Sequence, residues 1–204
     1  ADAGTGFIAL RKGASVWNAL QRGRSGVTFS SATPAVVTYT AHGFRSSKQT
    51  TTFSGATGPA VCTTTAHGLV NGDAIGFTNS GGSLPTGISN TTIYYVMNAT
   101  TDTFQLSTGR GGVLVTITTN GSGTQSIWQD TVQFTTSGAL YTGLTANTIY
   151  FVDYIDANTF YLRPTPNGTR TNTSGSQSGT HVMWDPRDYC TLNTAAIFDT
   201  QYAS

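Results

Sequence analysis

Hydrophobic and polar residues alternate along this chain in short runs with period two, the pattern of half-buried strands rather than helices. Residues 35–40 and 60–65 read as strands, each closed by Ala-His-Gly at 41–43 and 66–68. Matching runs occur at 73–78 and 130–135, at 92–97 and 148–153, and at 103–107 and 159–163. Asn- and Asp-bearing loops at 98–102 and 154–158 separate the last two pairs as hairpins. A final Thr-rich strand is predicted at 113–119 and another near 169–173. Strands this short, with turns every 8–12 residues or so, suit a small barrel or sandwich. Glycines at 4, 6, 13, 23 and 26 argue against a long N-terminal helix, leaving room for a short one at 14–21.

Much of this pattern is one pattern written twice. Ala60-Val-Cys-Thr-Thr-Thr-Ala-His67-Gly68-Leu69 matches Ala35-Val-Val-Thr-Tyr-Thr-Ala-His42-Gly43-Phe44. The continuation beyond Leu69, however, finds its counterpart only after residue 129: with one gap, segments 73–106 and 130–162 share fifteen identities. The arrangement predicts nested duplication. An outer module of 33–44 plus 128–184 would carry an inner module, 57–126, in its first turn, with polar connections at 45–52 and 127–129. Tolerated insertions fall in exposed turns. The expected fold is therefore all-β: two small β-barrel or sandwich modules, one inserted in a turn of the other. Extended arms at 1–32 and 185–204 would flank them. Modules of about 65 residues have thin cores and gain from mutual packing or a partner.

Composition agrees with strands. There are 39 Thr and 24 Gly, no Glu, and only two Lys, Lys12 and Lys48. Good helix formers for exposed faces are thus scarce. A formal net charge of +1 supplies no overall field for nucleic acid or an anionic membrane. No apolar run approaches the roughly 18–20 residues that span a bilayer, and the first residues lack a signal-peptide pattern. Cys62 replaces Val37 of the other copy and is expected to be a small buried side chain; Cys190 lies in the C-terminal flank.

The series His-Gly-Leu-x-x-Gly-Asp-x-x-x-Phe, then Leu-Pro-Thr-Gly, Tyr-Tyr-Val-x-Asn and Asp-Thr-Phe-x-Leu resembles a module common in tailed-bacteriophage virion proteins. That module is similar to the first catalytic cysteine half-domain of ubiquitin-activating enzymes, a small β-barrel that contributes no catalytic group. The inner copy matches at His67, Gly68, Leu69, Gly72, Asp73, Phe77, Tyr94, Val96, Thr103, Phe104 and Leu106. The outer copy matches at His42, Gly43, Phe44, Asp130, Phe134, Tyr150, Val152, Thr159, Phe160 and Leu162. The resemblance covers about two-thirds of the chain and implies a structural part of a tail, fibre or head decoration.

The polar residues do not assemble into a recognisable catalytic motif. His42 and His67 stand at equivalent turn positions without metal-ligand spacing around them, and are read as imidazoles bonded to loop backbone; His181 ends a different strand. Asp73 and Asp130 are likewise read as turn caps. No nucleophile elbow, P-loop or zinc-protease motif occurs. No enzyme activity, metal or cofactor is expected. Aromatic and basic residues of the arms, Phe7, Arg11, Trp17, Arg22, Arg24, Tyr189 and Phe198, are the candidate partner-binding residues. The expectation is a structural virion protein, a capsid decoration or tail component, made in the bacterial cytoplasm and located in the virion. It would assemble in many copies or as a homo-oligomer against other virion proteins, with no membrane or nucleic-acid partner and with the inner module pointing outward. The alternative is a phage adhesin or carbohydrate-binding module that stacks a host glycan on Tyr141, Tyr154 and Tyr161.

Overall fold

A computed structural model describes the backbone of residues 21–189 and the side chains of 23–185. Within them no helix occurs, and fifteen strands are arranged along the chain. The first four are β1 (Gln21–Ser25), β2 (Thr28–Phe29), β3 (Val36–Thr38) and β4 (Gln49–Ser54). Next come β5 (Gly58–Pro59), β6 (Val61–Thr63), β7 (Ala74–Ser80), β8 (Tyr94–Met97), β9 (Thr103–Ser107) and β10 (Thr116–Ile117). The last are β11 (Thr124–Trp128), β12 (Thr131–Thr136), β13 (Tyr150–Tyr154), β14 (Thr159–Arg163) and β15 (His181–Tyr189). All named strand pairs are antiparallel.

Strands β11-β4-β6-β9-β8-β7 form a closed barrel, sealed by β7 against β11; all six lie between residues 49 and 128. The strands on either side of that segment pair with one another in the order β1-β15-β12-β13-β14-β3-β2. The two edges of this second sheet are consecutive in the chain, separated only by Gly26 and Val27. Taken together, β1 and β2 stand where β4 stands in the barrel, between the equivalents of β11 and β6. Both bodies thus have the same cyclic strand order.

Each body buries its own apolar cluster. The barrel encloses Phe53, Cys62, Ile75, Phe77, Tyr94, Val96, Phe104, Leu106, Ile117 and Ile127. The second body encloses Val27, Phe29, Val37, Phe44, Val132, Phe134, Tyr150, Val152, Phe160, Leu162 and Met183. The period-two rule accounts for these lists: β9 buries Phe104 and Leu106 and half-exposes Thr103 and Gln105, and β14 does the same with Phe160 and Leu162. The Cys62 thiol is fully buried, which pushes its pKa well up and leaves it an apolar filler.

Phe151 breaks the alternation in an informative way. Between the inward-facing Tyr150 and Val152, it belongs to the outer face of β13, yet it is completely buried. Its ring lies 6.2 Å from Trp128 and edge-on, and it also approaches Gly76 of β7, where a Cβ would collide with the Pro166 ring and crowd Phe151 at 3.2 Å. A missing side chain in the barrel therefore admits the Pro166 ring of the other body, with Phe151 packed alongside. This contact also explains why all of 74–77 is buried: Ile75 and Phe77 face the barrel interior, Ala74 and Gly76 the neighbouring body.

Several sequence boundaries move. The polar connection expected at 45–52 becomes strand from Gln49, so the inner body spans 49–128 instead of 57–126, and Trp128 belongs to β11. The N-terminal arm does not reach residue 32: β1 and β2 are part of the second sheet, and Val27 and Phe29 are core. The C-terminal arm does not begin at 185, because β15 continues to Tyr189 and Asp185 is fully buried. Gln21, expected to end a short helix, opens β1; residues 14–20 lie outside the described residues. Of the expected strand 113–119 only β10 remains, and at 169–173 there is none. Each segment is held by equivalent backbone hydrogen bonds: Val115 N–H donates to Leu106 and Thr171 N–H to Leu162, both at 2.8 Å, while Ala60 N–H donates to Val115 and Ala35 N–H to Thr171; β10 also pairs with β5. Gly87 and Gly143, both at φ +104°, allow these segments to pass closely: a Cβ would strike the carbonyl of Thr116 in one copy and of Asn172 in the other.

If the two bodies fold independently, 46–129 can be replaced by Asn-Gly, the two residues that fill the corresponding inner turn at 71–72. With Phe151→Thr to keep the uncovered face polar, this variant is expected to give a dispersed amide spectrum and a single cooperative melt. A collapsed spectrum would show that the second body needs the barrel to fold.

Candidate functional site

The two His-Gly turns are built alike in most of their hydrogen bonds. Ala41 and Ala66 take left-handed conformations, φ +53° and +48°, that cost a non-glycine residue about 1–2 kcal/mol. Each is held by a side chain from the hairpin opposite: Ala41 N–H donates to Asn158 Oδ1 at 2.9 Å, and Ala66 N–H to Asp102 Oδ1 at 2.8 Å. The imidazoles then fold back on their own turns. Phe44 N–H donates to His42 Nδ1 at 3.0 Å, and Leu69 N–H to His67 Nδ1 at 2.9 Å. With Nδ1 accepting, Nε2 carries the proton and donates to the Asp156 carbonyl (2.7 Å) in one copy and to that of Thr103 (3.4 Å) in the other. Both rings are buried edge-on against the repeat's Phe, Phe160 at 5.2 Å and Phe104 at 5.1 Å. His181 sits apart, edge-on to Phe29.

Three residues after each histidine stands a backbone N–H that a carboxylate caps. Val70 N–H donates to Asp73 Oδ2 at 2.9 Å, three residues away. Its counterpart, Arg45 N–H, donates to Asp130 Oδ2 at 2.5 Å, across 85 residues. The same cap that closes a four-residue turn in the inner body closes the turn into which the barrel is set. The Arg45 side chain then ties the bodies together: Nη1 meets Asp130 Oδ1 and Nη2 the His67 carbonyl, both at 3.3 Å.

Arg24 performs the corresponding task in the second body. It donates to the His42 carbonyl at 2.7 Å and forms an ion pair with Asp185 at 3.1 Å. Asp185 comes directly after Trp184 as Gln129 does after Trp128. With its carboxamide oxygen turned towards Arg45, Gln129 accepts from Nε at 2.8 Å.

Where the bodies meet, a cavity of about 150 Å³ opens between Arg45, Lys48, Trp128, Asp130 and Asp153. Trp128 donates its indole N–H to the Val152 carbonyl at 2.7 Å. The Lys48 ammonium lies 3.9 Å from the centre of the indole, and the Arg163 guanidinium 5.4 Å from it. Burial of the ammonium end lowers the Lys48 pKa, Asp153 raises it, and Arg163 lowers it further. Burial alone would raise the Asp153 carboxyl; hydrogen bonds and charge from Arg170 and Arg163, both at 2.8 Å, outweigh it and hold the group below its ordinary value.

No protein-family model, curated protein or solved structure matches this chain.

Among the residues expected to bind partners, Arg24 is spent inside the molecule, its side chain only 19% exposed. Arg22 and Tyr189 lie in the backbone ladder between β1 and β15; Phe7, Arg11, Trp17 and Phe198 lie outside the described residues. The tyrosines proposed to stack sugars are engaged as well. Tyr141 and Tyr154 pack against the second core, Tyr154 edge-on to His42, and Arg170 covers Tyr161 at 4.0 Å. No group of three or more His, Cys, Asp or Glu side chains suited to a metal occurs among the described residues. Nor is any helix there long and apolar enough to cross a membrane.

Sequence reasoning missed Arg45, β2 and the internal role of Arg24, which it assigned to a partner, although a signal was present. Thr28-Phe29-Ser30-x-Ala32-Thr33 recurs as Thr52-Phe53-Ser54-x-Ala56-Thr57, and Ser178-Gly-Thr-x-x-x-Trp184 as Ser122-Gly-Thr-x-x-x-Trp128. The repeat therefore runs further, in both directions, than its His-Gly core suggests.

Arg24→Met removes an ion-pair partner from the buried Asp185 carboxylate and is expected to cost about 3 kcal/mol in urea unfolding. Arg24→Met combined with Asp185→Leu should recover part of that loss; equal losses for the single and double variants would contradict the ion-pair assignment. For Asp153 the folded pKa lies below the unfolded value near 3.8. Its contribution is therefore complete above that value and is lost as pH falls through the lower folded one. The melting temperature of wild type should drop through that acid window more steeply than that of Asp153→Asn.

Proposed function

We propose that this protein is a structural component of a tailed-bacteriophage virion, a capsid-decorating or tail subunit fastened to neighbouring virion proteins through residues 1–20 and 190–204. One observation carries the reading. The two ends of the body leave it side by side, Gln21 paired with Tyr189, in a ribbon that extends beyond the last β12–β15 partners, Gln133 and Trp184. Arg24 places this ribbon beside the His42 turn, at the end of the second body where the barrel is attached. Two tethers that leave from one place give a single anchoring point and leave the remaining surfaces of both bodies for display. The expectation that the barrel points away from the anchored end is replaced by one in which anchor and barrel share the junction.

The resemblance of the His-Gly-Leu-x-x-Gly-Asp series to phage virion modules supports the same reading. Its residues serve as turn, cap and core, which suits a scaffold reused in many structural roles.

Truncation tests it. Deleting 1–30 would remove β1, β2 and two core residues, so the informative variant lacks only 1–19 and 190–204. That variant is expected to melt like the full chain yet fail to enter particles assembled in its presence. Incorporation at the full-length level would overturn attachment through the terminal segments.

A further inference from the structure

One end of the barrel carries an open cleft of about 500 Å³, within the size range of small-molecule sites. Its lining belongs entirely to the barrel, at the opposite end of β7 from the Gly76 contact. Leu84 and Ile88 supply an aliphatic floor that packs on the barrel core. Asn79, Ser83 and Asn90 stand around it, and no lining residue is ionisable.

The duplication provides an internal comparison for this cleft. Equivalent hydrogen bonds fix the correspondence between the copies. Ser122 N–H donates to the Ser83 carbonyl at 2.8 Å, and Ser178 N–H to that of Ala139 at 2.9 Å. Ser89 N–H donates to Tyr94 Oη at 2.8 Å, and Thr145 N–H to Tyr150 Oη at 2.9 Å. The second body keeps the floor, as Leu140 and Leu144 against its own core. Around that floor it has Thr136 for Asn79, Ala139 for Ser83 and Ala146 for Asn90. The inner loop is also one residue longer, with Gly81 and Gly82 between Ser80 and Ser83 where Gly138 alone separates Ser137 from Ala139. Folding a module thus requires neither carboxamide of the cleft. Asn79 Nδ2 donates to the Ser122 carbonyl at 2.7 Å, which leaves Oδ1 as an acceptor facing no partner in the fold. The exposed Asn90 carboxamide bonds nothing among the described residues.

We propose that this cleft binds a neutral sugar, a hexose or a short glycan of uncharged hexoses. Sugar hydroxyls both donate and accept, and a carboxamide offers a donor and an acceptor in one planar group. The C–H face of a pyranose ring matches the Leu84 and Ile88 floor. A charged ligand would give up hydration there without meeting an opposite charge. With no aromatic ring in the lining, binding is weak, with a Kd of about 1 mM. This proposal stands apart from attachment to virions, and neither depends on the other.

The test is a titration of the full-length, 15N-labelled protein with glucose, maltose, lactose and N,N′-diacetylchitobiose, and with glucuronate as the charged probe. At least one neutral sugar is expected to shift the side-chain amide signals of Asn79 and Asn90 saturably. Asn90→Ala installs the second body's residue at an exposed position and should weaken that binding about tenfold. Ala146→Asn, the reverse exchange in the second body, should bind as wild type does. The proposal is overturned if no neutral sugar gives saturable shifts, if glucuronate binds as well as glucose, or if Asn90→Ala binds undiminished.

Discussion

Asp130 receives the backbone N–H of Arg45 across 85 residues, and much of the architecture depends on that hydrogen bond. A turn can hold an entire barrel only if its two stumps stay in register when the residues that once joined them are gone. The inner turn shows the unbroken version, in which Asp73 caps Val70 three residues away. In the outer turn the covalent link is replaced by a charge-assisted bond, reinforced by the Arg45 guanidinium on the same carboxylate. Arg45 also reaches the His67 carbonyl, so one side chain closes the outer turn and fixes the barrel that interrupts it.

The histidines belong to the same economy of buried polar groups. A tight turn at the mouth of an apolar core leaves backbone N–H groups that water cannot reach, and an unpaired one costs about 1–3 kcal/mol. His42 and His67 satisfy those donors with Nδ1, discharge Nε2 onto a carbonyl, and offer the ring faces and edges to Phe160 and Phe104. Imidazole combines acceptor, donor and apolar surface in one side chain. Its presence in both copies follows from that combination.

The junction between the bodies is mixed in character. Pro166 and Phe151 on Gly76 are shape complementarity, the absence of one side chain admitting others. Beside it, cations cover the Trp128 indole and ion pairs surround Asp153. An apolar contact joins the bodies, while the polar shell encloses a small cavity beside it.

The all-β class was legible in the sequence, because a half-buried strand must alternate and the repeat shows each strand twice. The buried identities of Phe104, Leu106, Phe160 and Leu162 come from that alternation, and the roles of His42, His67, Asp73 and Asp130 from their paired positions in the repeat. What the linear chain could not express were interactions whose partners are remote. Arg24 looks like an exposed cation in a flexible flank until Asp185, far along the chain, is folded against it. Phe151 looks solvent-facing until a second body supplies Gly76. The two-residue β2 is too short to alternate visibly and exists because β3 pairs with it. Local chemistry determines which residues face inward and how each turn is closed; only the tertiary structure decides which closed surfaces meet, since burial between bodies depends on shape and charge brought together from distant parts of the chain.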